Sequence, residues 1–396
     1  MKSIDLSYII GSNLPAPVFK LSNYEAKTRC QVHWTSMAWV GAWSQLLSIA
    51  LYQKGADVSE IGTSWLGSLI EMQALRPFNS FEIRRLGGAE SFATSSWQTC
   101  YLPDDNRIMA IPWYLDIPLL VYRRDLLQKA GVDEKAAFST PEQFIDTLER
   151  VKGTGLEYPL AISLESNRVV HALASWIWSS GGHIRTPDAK KMALREPQAM
   201  KGIRAYFDLH RFAHPQPGDF IENRFAQGQV AITLSSDQNY MGLKTGRFQS
   251  LPEVRENMAV AKPLSSPYVG GSNLVIWRHT ALDRDSLELV QYLTDFEVLE
   301  QVFNQLNILP ARLSLLERLP VASDPAYPVI LDTLHSGRGI LGYYRWAGIE
   351  DRMVHMISGM WQEIFANPDL DLDNVLPVRI NELSDRLERT ILASWK

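Results

Sequence analysis

The 396-residue chain has only two cysteines, Cys30 and Cys100. It has no CxxC pair and no Cys/His cluster, so the sequence makes no case for a structural zinc or iron–sulfur site. The two thiols allow at most one disulfide, and a pair of unlinked buried thiols accounts for them equally well. No segment approaches the roughly 18–20 apolar residues that span a bilayer. Basic runs stop at pairs such as Arg84-Arg85, and the net charge is −5. The concentrated basic face of a nucleic-acid binder is therefore missing. So are the G-x-S-x-G elbow, the P-loop and H-E-x-x-H. His171 has no motif-supported Ser or Cys nucleophile. There is no internal repeat, low-complexity tract or long Gly/Ser linker. The opening Met1–Ile10 has neither an apolar h-region nor a cleavage site. Two readings of that start stay open: a leader has been removed, or the protein is cytoplasmic.

What is there is a long, ordinary globular composition with 12 Trp. The length exceeds one ordinary core and suits two domains. Short apolar runs alternate with amphipathic stretches, the pattern of an α/β protein. Thr140-Pro141-Glu142-Gln143 reads as an N-cap, a first-turn Pro and a capping-box Gln; these open a helix through Phe144, Leu148 and Val151. Asp125 reads as the cap of a short helix ending at Lys129-Ala130-Gly131. Val230, Ile232 and Leu234 alternate as a strand, and Leu287, Val290, Leu293, Phe296, Leu299 and Phe303 form the stripe of one long helix.

Several segments, in order, resemble an extracellular solute-binding family that includes maltose-, trehalose- and oligosaccharide-binding proteins. The strongest is Ile111-Pro112-Trp113-Tyr114-Leu115-Asp116-Ile117-Pro118, continuing through Val121-Tyr122-Arg123-Arg124-Asp125-Leu126. It is similar to the family's hinge segment. Trp178-Ser179-Ser180-Gly181-Gly182, Phe225-Ala226-Gln227-Gly228, Gly270-Gly271-Ser272-Asn273 and Leu309-Pro310-Ala311-Arg312 follow. The match covers about residues 55–315. Ser272 and Ser236-Asp237-Gln238 stand where the family often has aromatics, so maltodextrin specificity is not carried over.

The resemblance implies a two-lobed α/β protein of the periplasmic-binding-protein type II fold, with discontinuous lobes joined by hinge crossings. One lobe is expected to combine residues 1–112 with 270–312, the other 117–263 with 318–396. Crossings are expected near Pro112–Pro118, near Pro263–Gly271 and after Pro310, where Pro stiffens the chain and Gly270-Gly271 frees it. The implied function is a non-enzymatic carbohydrate-binding subunit of an ABC importer, closing its lobes around the sugar. Its partners are the sugar and the permease transmembrane subunits. It is expected to be a monomer in the periplasm or outside the cell, without cofactor or metal. A glycosidase and a sugar sensor not coupled to transport are the alternatives.

Sugar sites combine carboxylates and amides with aromatic platforms. Asp116 matches a family sugar-binding carboxylate; a salt-bridged hinge residue is its plain alternative. Thr63, Ser64 and Trp65 follow an expected strand containing Val58 and Ile61, where ligands meet α/β lobes. Trp34 and Trp39 lie in the first crossing toward a helix, and Trp113 and Tyr114 lie in the hinge segment. His171 is expected just before the Trp176/Trp178 helix. Asp237 and Gln238 follow the Val230–Leu234 strand, Gly271 and Asn273 offer backbone contacts or a hinge turn, and Tyr343, Tyr344, Arg345 and Trp346 form an aromatic-basic cluster. Core packing is the competing role for each Trp.

Overall fold

The computed structural model describes residues 2–103, 105–164, 168–186, 191–214, 221–340 and 345–392, with backbone alone at 221, 222 and 392. The described strands are β1 (Lys2–Tyr8), β2 (Cys30–Ser36), β3 (Val58–Gly62), β4 (Ile111–Asp116), β5 (Pro118–Arg123), β6 (Leu160–Ala161), β7 (Ile232–Ser236), β8 (Met258–Ala261) and β9 (Gly270–Ile276). They form two sheets, in the orders β2-β1-β3-β9-β4 and β6-β7-β5-β8. The chain divides into two compact units, each assembled from three stretches. Unit 1 takes Met1–Asp116, Val269–Asp324 and Gly339–Ala347; unit 2 takes Ile117–Tyr268, Pro325–Arg338 and Gly348–Lys396.

In unit 1, β1 runs parallel to both β2 and β3, and β9 is antiparallel to β3 and β4. The carboxyl ends of β1, β2, β3 and β4 therefore share one edge with the start of β9. On one face of this sheet Ile61, Val275 and Trp277 pack with Leu46 and Leu69 from helices Trp39–Tyr52 and Leu66–Glu71. Elsewhere in the unit Tyr8, Phe19 and Trp113 meet edge to face, with centroids 5.7 and 6.0 Å apart. Pro112 is tolerated because it lies in a strand at the end of the sheet, beside an irregularity in the ladder.

In unit 2, β6 and β7 are parallel, and β5 runs antiparallel to its neighbours β7 and β8. β5 is buried along nearly its whole length, which explains its unbroken apolar run. The helix Pro141–Gly153 begins as its sequence predicts: Pro141 is in the first turn and Thr140 Oγ1 accepts the Gln143 N–H at 3.2 Å. Phe144 stacks on Trp176 at 5.7 Å, and Tyr206 meets Trp361 edge to face.

Several local expectations are corrected. The helix Arg124–Lys129 is capped at Arg123, and Asp125 sits in its first turn, paired with Arg123 at 2.6 Å. That guanidinium holds the Asp125 carboxyl below its ordinary range. The expected long helix is two helices, Asp283–Leu293 and Phe296–Leu306, because Asp295 caps the second by accepting the Phe296 N–H. The strand expected over Val230–Leu234 lies two residues later, as β7. Both cysteines are buried and free.

Gly271 in β9 has φ +142°, and a Cβ there would lie 2.0 Å from the Tyr114 carbonyl oxygen. Gly359, inside helix Trp346–Ala366, has nothing within 4 Å of an added Cβ. Calorimetric melts should separate the two. Gly271→Ala should destabilise by more than about 1 kcal/mol, and Gly359→Ala should be neutral or stabilising by up to about 1 kcal/mol. Equal melting temperatures for the two variants would contradict the close approach of β9 to β4.

Candidate functional site

Carboxyl ends of strands are where α/β sheets receive ligands, because the loops there are free to carry side chains. On that edge of unit 1, β3 ends at Gly62 and turns through Thr63, Ser64 and Trp65. Thr63 and Ser64 are buried and Trp65 is half-buried. Trp65 packs against Trp39 and Trp43, with centroids 5.6 and 5.8 Å away. Trp39 is 52% exposed, and Trp34, in β2, is 39% exposed with its ring against Tyr8. Asp116 closes β4 opposite Gly270, exposed. Among the described residues its carboxylate has no hydrogen-bond or ion-pair partner. Trp39, Thr63, Ser64, Trp65, Asp116 and Gly271 are thus brought to one edge, whereas Trp34 lies further back, level with Leu6 and with Val58 at the start of β3.

Other expected residues are packing or anchoring groups. Trp113 is in the core, and its indole N–H donates to the Leu293 carbonyl at 2.8 Å. Tyr114 is buried, which pushes its hydroxyl pKa well up. Gly271 and Asn273 belong to β9 rather than to a turn. Asn273 is fully buried and its amide donates to Thr99 Oγ1 at 3.0 Å. Trp346 is buried in unit 1, and Arg345 pairs with Glu71 at 3.1 Å. Tyr343 and Tyr344 lie outside the described residues.

In unit 2, Asp237 begins a helix after β7 instead of facing a loop. Its carboxylate accepts the Ile117 N–H at 3.0 Å, while its own N–H donates to the Ile117 carbonyl. Burial and these two bonds make it a bolt on the start of β5. Gln238, next along the same helix, is half-buried. His171 is in the first turn of helix Arg168–Ser179, not before it. Its ring stacks on Tyr268, centroids 3.9 Å apart, and Nε2 lies 3.2 Å from Glu350. Trp176 is core and Trp178 is half-buried beneath Arg338, as two-residue spacing on a helix requires.

The sequence reading missed Glu60. It is 1% exposed, and one carboxylate oxygen accepts the Ile9 and Ile10 N–H groups at 2.6 and 2.8 Å. Tyr8 lies close enough that burial, helped by the Glu60 charge, raises its hydroxyl pKa to about 12. The signal was available: Glu60 is the one charged residue between Val58 and Ile70. A separate cavity of about 560 Å³ in unit 2 is lined by Arg352, Arg379 and Arg386 with Asp351, Glu363 and Glu382. Arg379 is already matched to Glu363 at 3.2 Å.

The arrangement of two interleaved α/β units is shared with solved binding proteins. The sugar-binding protein MalE from the phytopathogen Xanthomonas citri has a TM-score of 0.83 at 19% identity, over 99% of this chain and 98% of that one. An ABC transporter solute-binding protein from Thermotoga lettingae, bound with α-D-tagatose, has a TM-score of 0.78 at 18% identity over 99% and 100%. The GacH receptor of Streptomyces glaucescens, solved unliganded and with acarbose, has a TM-score of 0.77 at 15% identity over 100% of both. At these identities the likeness defines the fold: that of the periplasmic-type binding proteins. The family model for bacterial extracellular solute-binding proteins matches residues 21–329, and the chain belongs to that family. No curated protein matches it by sequence.

Glu60 gives this edge a measurable pH signature. Burial disfavours its charge, and the Ile9 and Ile10 amides offset this only in part, so its pKa stands above the usual 4.5. The folded state then favours the protonated acid. That advantage is full below the unfolded pKa and is lost as pH rises through the folded value. Glu60→Gln carries no such cost. In urea titrations, the stability of the natural chain relative to Glu60→Gln should therefore fall from pH 4 upward and level off once Glu60 is ionised. A difference independent of pH would contradict it.

Proposed function

We propose that this protein is the carbohydrate-binding subunit of an ABC importer, and that its two units are lobes that close on the sugar. The carrying observation is that an unpartnered carboxylate, Asp116, shares the strand-end edge of unit 1 with the paired indoles of Trp39 and Trp65. A carboxylate accepts sugar hydroxyls, and an indole face covers the apolar C–H face of a ring. Family membership and the sugars bound in the similar structures, α-D-tagatose and acarbose, support the same reading. The protein acts without catalysis, as a monomer, in the periplasm or outside the cell, and passes its ligand to the permease transmembrane subunits.

Asp116→Ala should weaken sugar binding by roughly 10–100-fold, because a hydrogen bond to a charged group contributes about 1.5–3 kcal/mol. Calorimetry on the natural chain and the variant measures this, with a melting curve confirming that the exposed substitution leaves the fold intact. Unchanged affinity would remove Asp116 from the site. Chromatography of the sugar after prolonged incubation should recover it intact; cleavage would make the protein a glycosidase.

A further inference from the structure

We propose that the groove between the last two helices of unit 2 is a second ligand site, which takes a small organic anion: one carboxylate or phosphate head on an apolar body. The inference does not rest on the carbohydrate reading. Helices Trp346–Ala366 and Leu372–Leu392 fold back on each other through residues 367–371. Between them lies the cavity of about 560 Å³, a size that suits a small molecule. Arg352, Met356, Gly359 and Glu363 line it at helical spacing, so one face of the first helix is turned to it.

The charges along the groove do not cancel where they stand. Near the turn, Glu363 and Glu382 converge on Arg379, at 3.2 and 4.0 Å. Asp351 faces His355 of its own helix at 3.6 Å. Asp385 and Glu388, which flank Arg386 in sequence, are taken by Arg195. Arg352 and Arg386, at the end away from the turn, are left over. Arg352 donates one N–H to the Gly348 carbonyl at 2.9 Å, and among the described residues neither guanidinium has an acidic partner. Each offers five N–H donors in a fixed fork that matches a carboxylate or a phosphate. The Glu363–Arg379–Glu382 group at the other end carries an excess acid, so it repels a second anionic head.

The middle of the groove suits an apolar body. Met360 and Leu383 are buried and line it together with Met356. Thioether chains adapt to irregular shapes. Gly359 stands among them with neither a positive φ nor a neighbour within 4 Å of an added Cβ. Alanine would favour the helix at that position. No turn and no close approach requires the glycine; its effect is to keep the groove open.

Calorimetry on the full chain tests this with octanoate and octyl phosphate against octanedioate, octanol and octylamine. One or both single-headed anions should bind roughly tenfold or more above the other three, and the tighter of the two identifies the head. Arg352→Gln and Arg386→Gln should each weaken that binding roughly 3- to 10-fold. Gly359→Leu, which fills the groove with a good helix former, should abolish it while the melting curve is kept. Independently, the anion should shift the methionine methyl resonances that Met356→Leu and Met360→Leu assign; if Gly359→Leu fails to fold, those shifts decide in its place. The proposal is overturned if octanol or octylamine binds as tightly as the anions, or if octanedioate does. It is equally overturned if both arginine variants bind like the natural chain, if folded Gly359→Leu still binds, or if the two methyl resonances stay in place. Absence of binding by both single-headed anions at millimolar concentration would also overturn it and make Arg352 and Arg386 plain solvated charges.

Discussion

Strand β9 is hydrogen-bonded along both of its edges, to β3 from Val58↔Ile276 to Gly62↔Ser272, and to β4 from Ile111↔Leu274 to Asp116↔Gly270. Without it the sheet of unit 1 would be two separate pieces, β2-β1-β3 and β4. The strand also sets the geometry of the candidate edge. By running against both neighbours it brings the ends of β3 and β4 together, and so places Trp65 and Asp116 on the same side. Its tight approach to Tyr114 is possible only because residue 271 lacks a side chain.

The two units present different chemistry at their strand ends. Unit 1 leaves apolar rings and one carboxylate exposed, above a buried carboxyl that is satisfied by two backbone amides. Unit 2 turns its polar groups inward. Asp237 locks the chain at Ile117, and Ser175 joins His171 to Tyr268 by accepting the Tyr268 N–H and donating to the His171 carbonyl. Ordered polar groups of this kind fix side-chain orientation at little entropic cost to a later binding step.

Much of this was legible in the sequence, and the reasons are local. Thr140-Pro141 starts a helix because its hydroxyl and its fixed φ act within one turn. The α/β alternation and the family likeness of the 111–127 segment led to the right fold class. Site residues were harder. Trp34 and Trp113 are the same residue type in neighbouring kinds of segment, yet one is exposed and one is sealed in the core. Only the three-dimensional position of Phe19 and Leu293 decides that, and both are far away in the chain. Asp237 likewise reads as a ligand contact until its partner, 120 residues earlier, is known. The break between Leu293 and Phe296 was missed because the apolar stripe runs on in phase across the Asp295 cap.

The interleaving of the two units also sets a clock on synthesis. β3 and β4 have left the ribosome by residue 116, but the strand that joins them is complete only at residue 276. At about 5–20 residues per second, those 160 residues take roughly 8–32 s. Throughout that interval both strands show an open edge to any neighbouring chain, the condition under which nascent sheets aggregate. β4 meets that interval with Pro112 in place of one of its backbone donors, leaving an edge that a stray strand cannot fully zip.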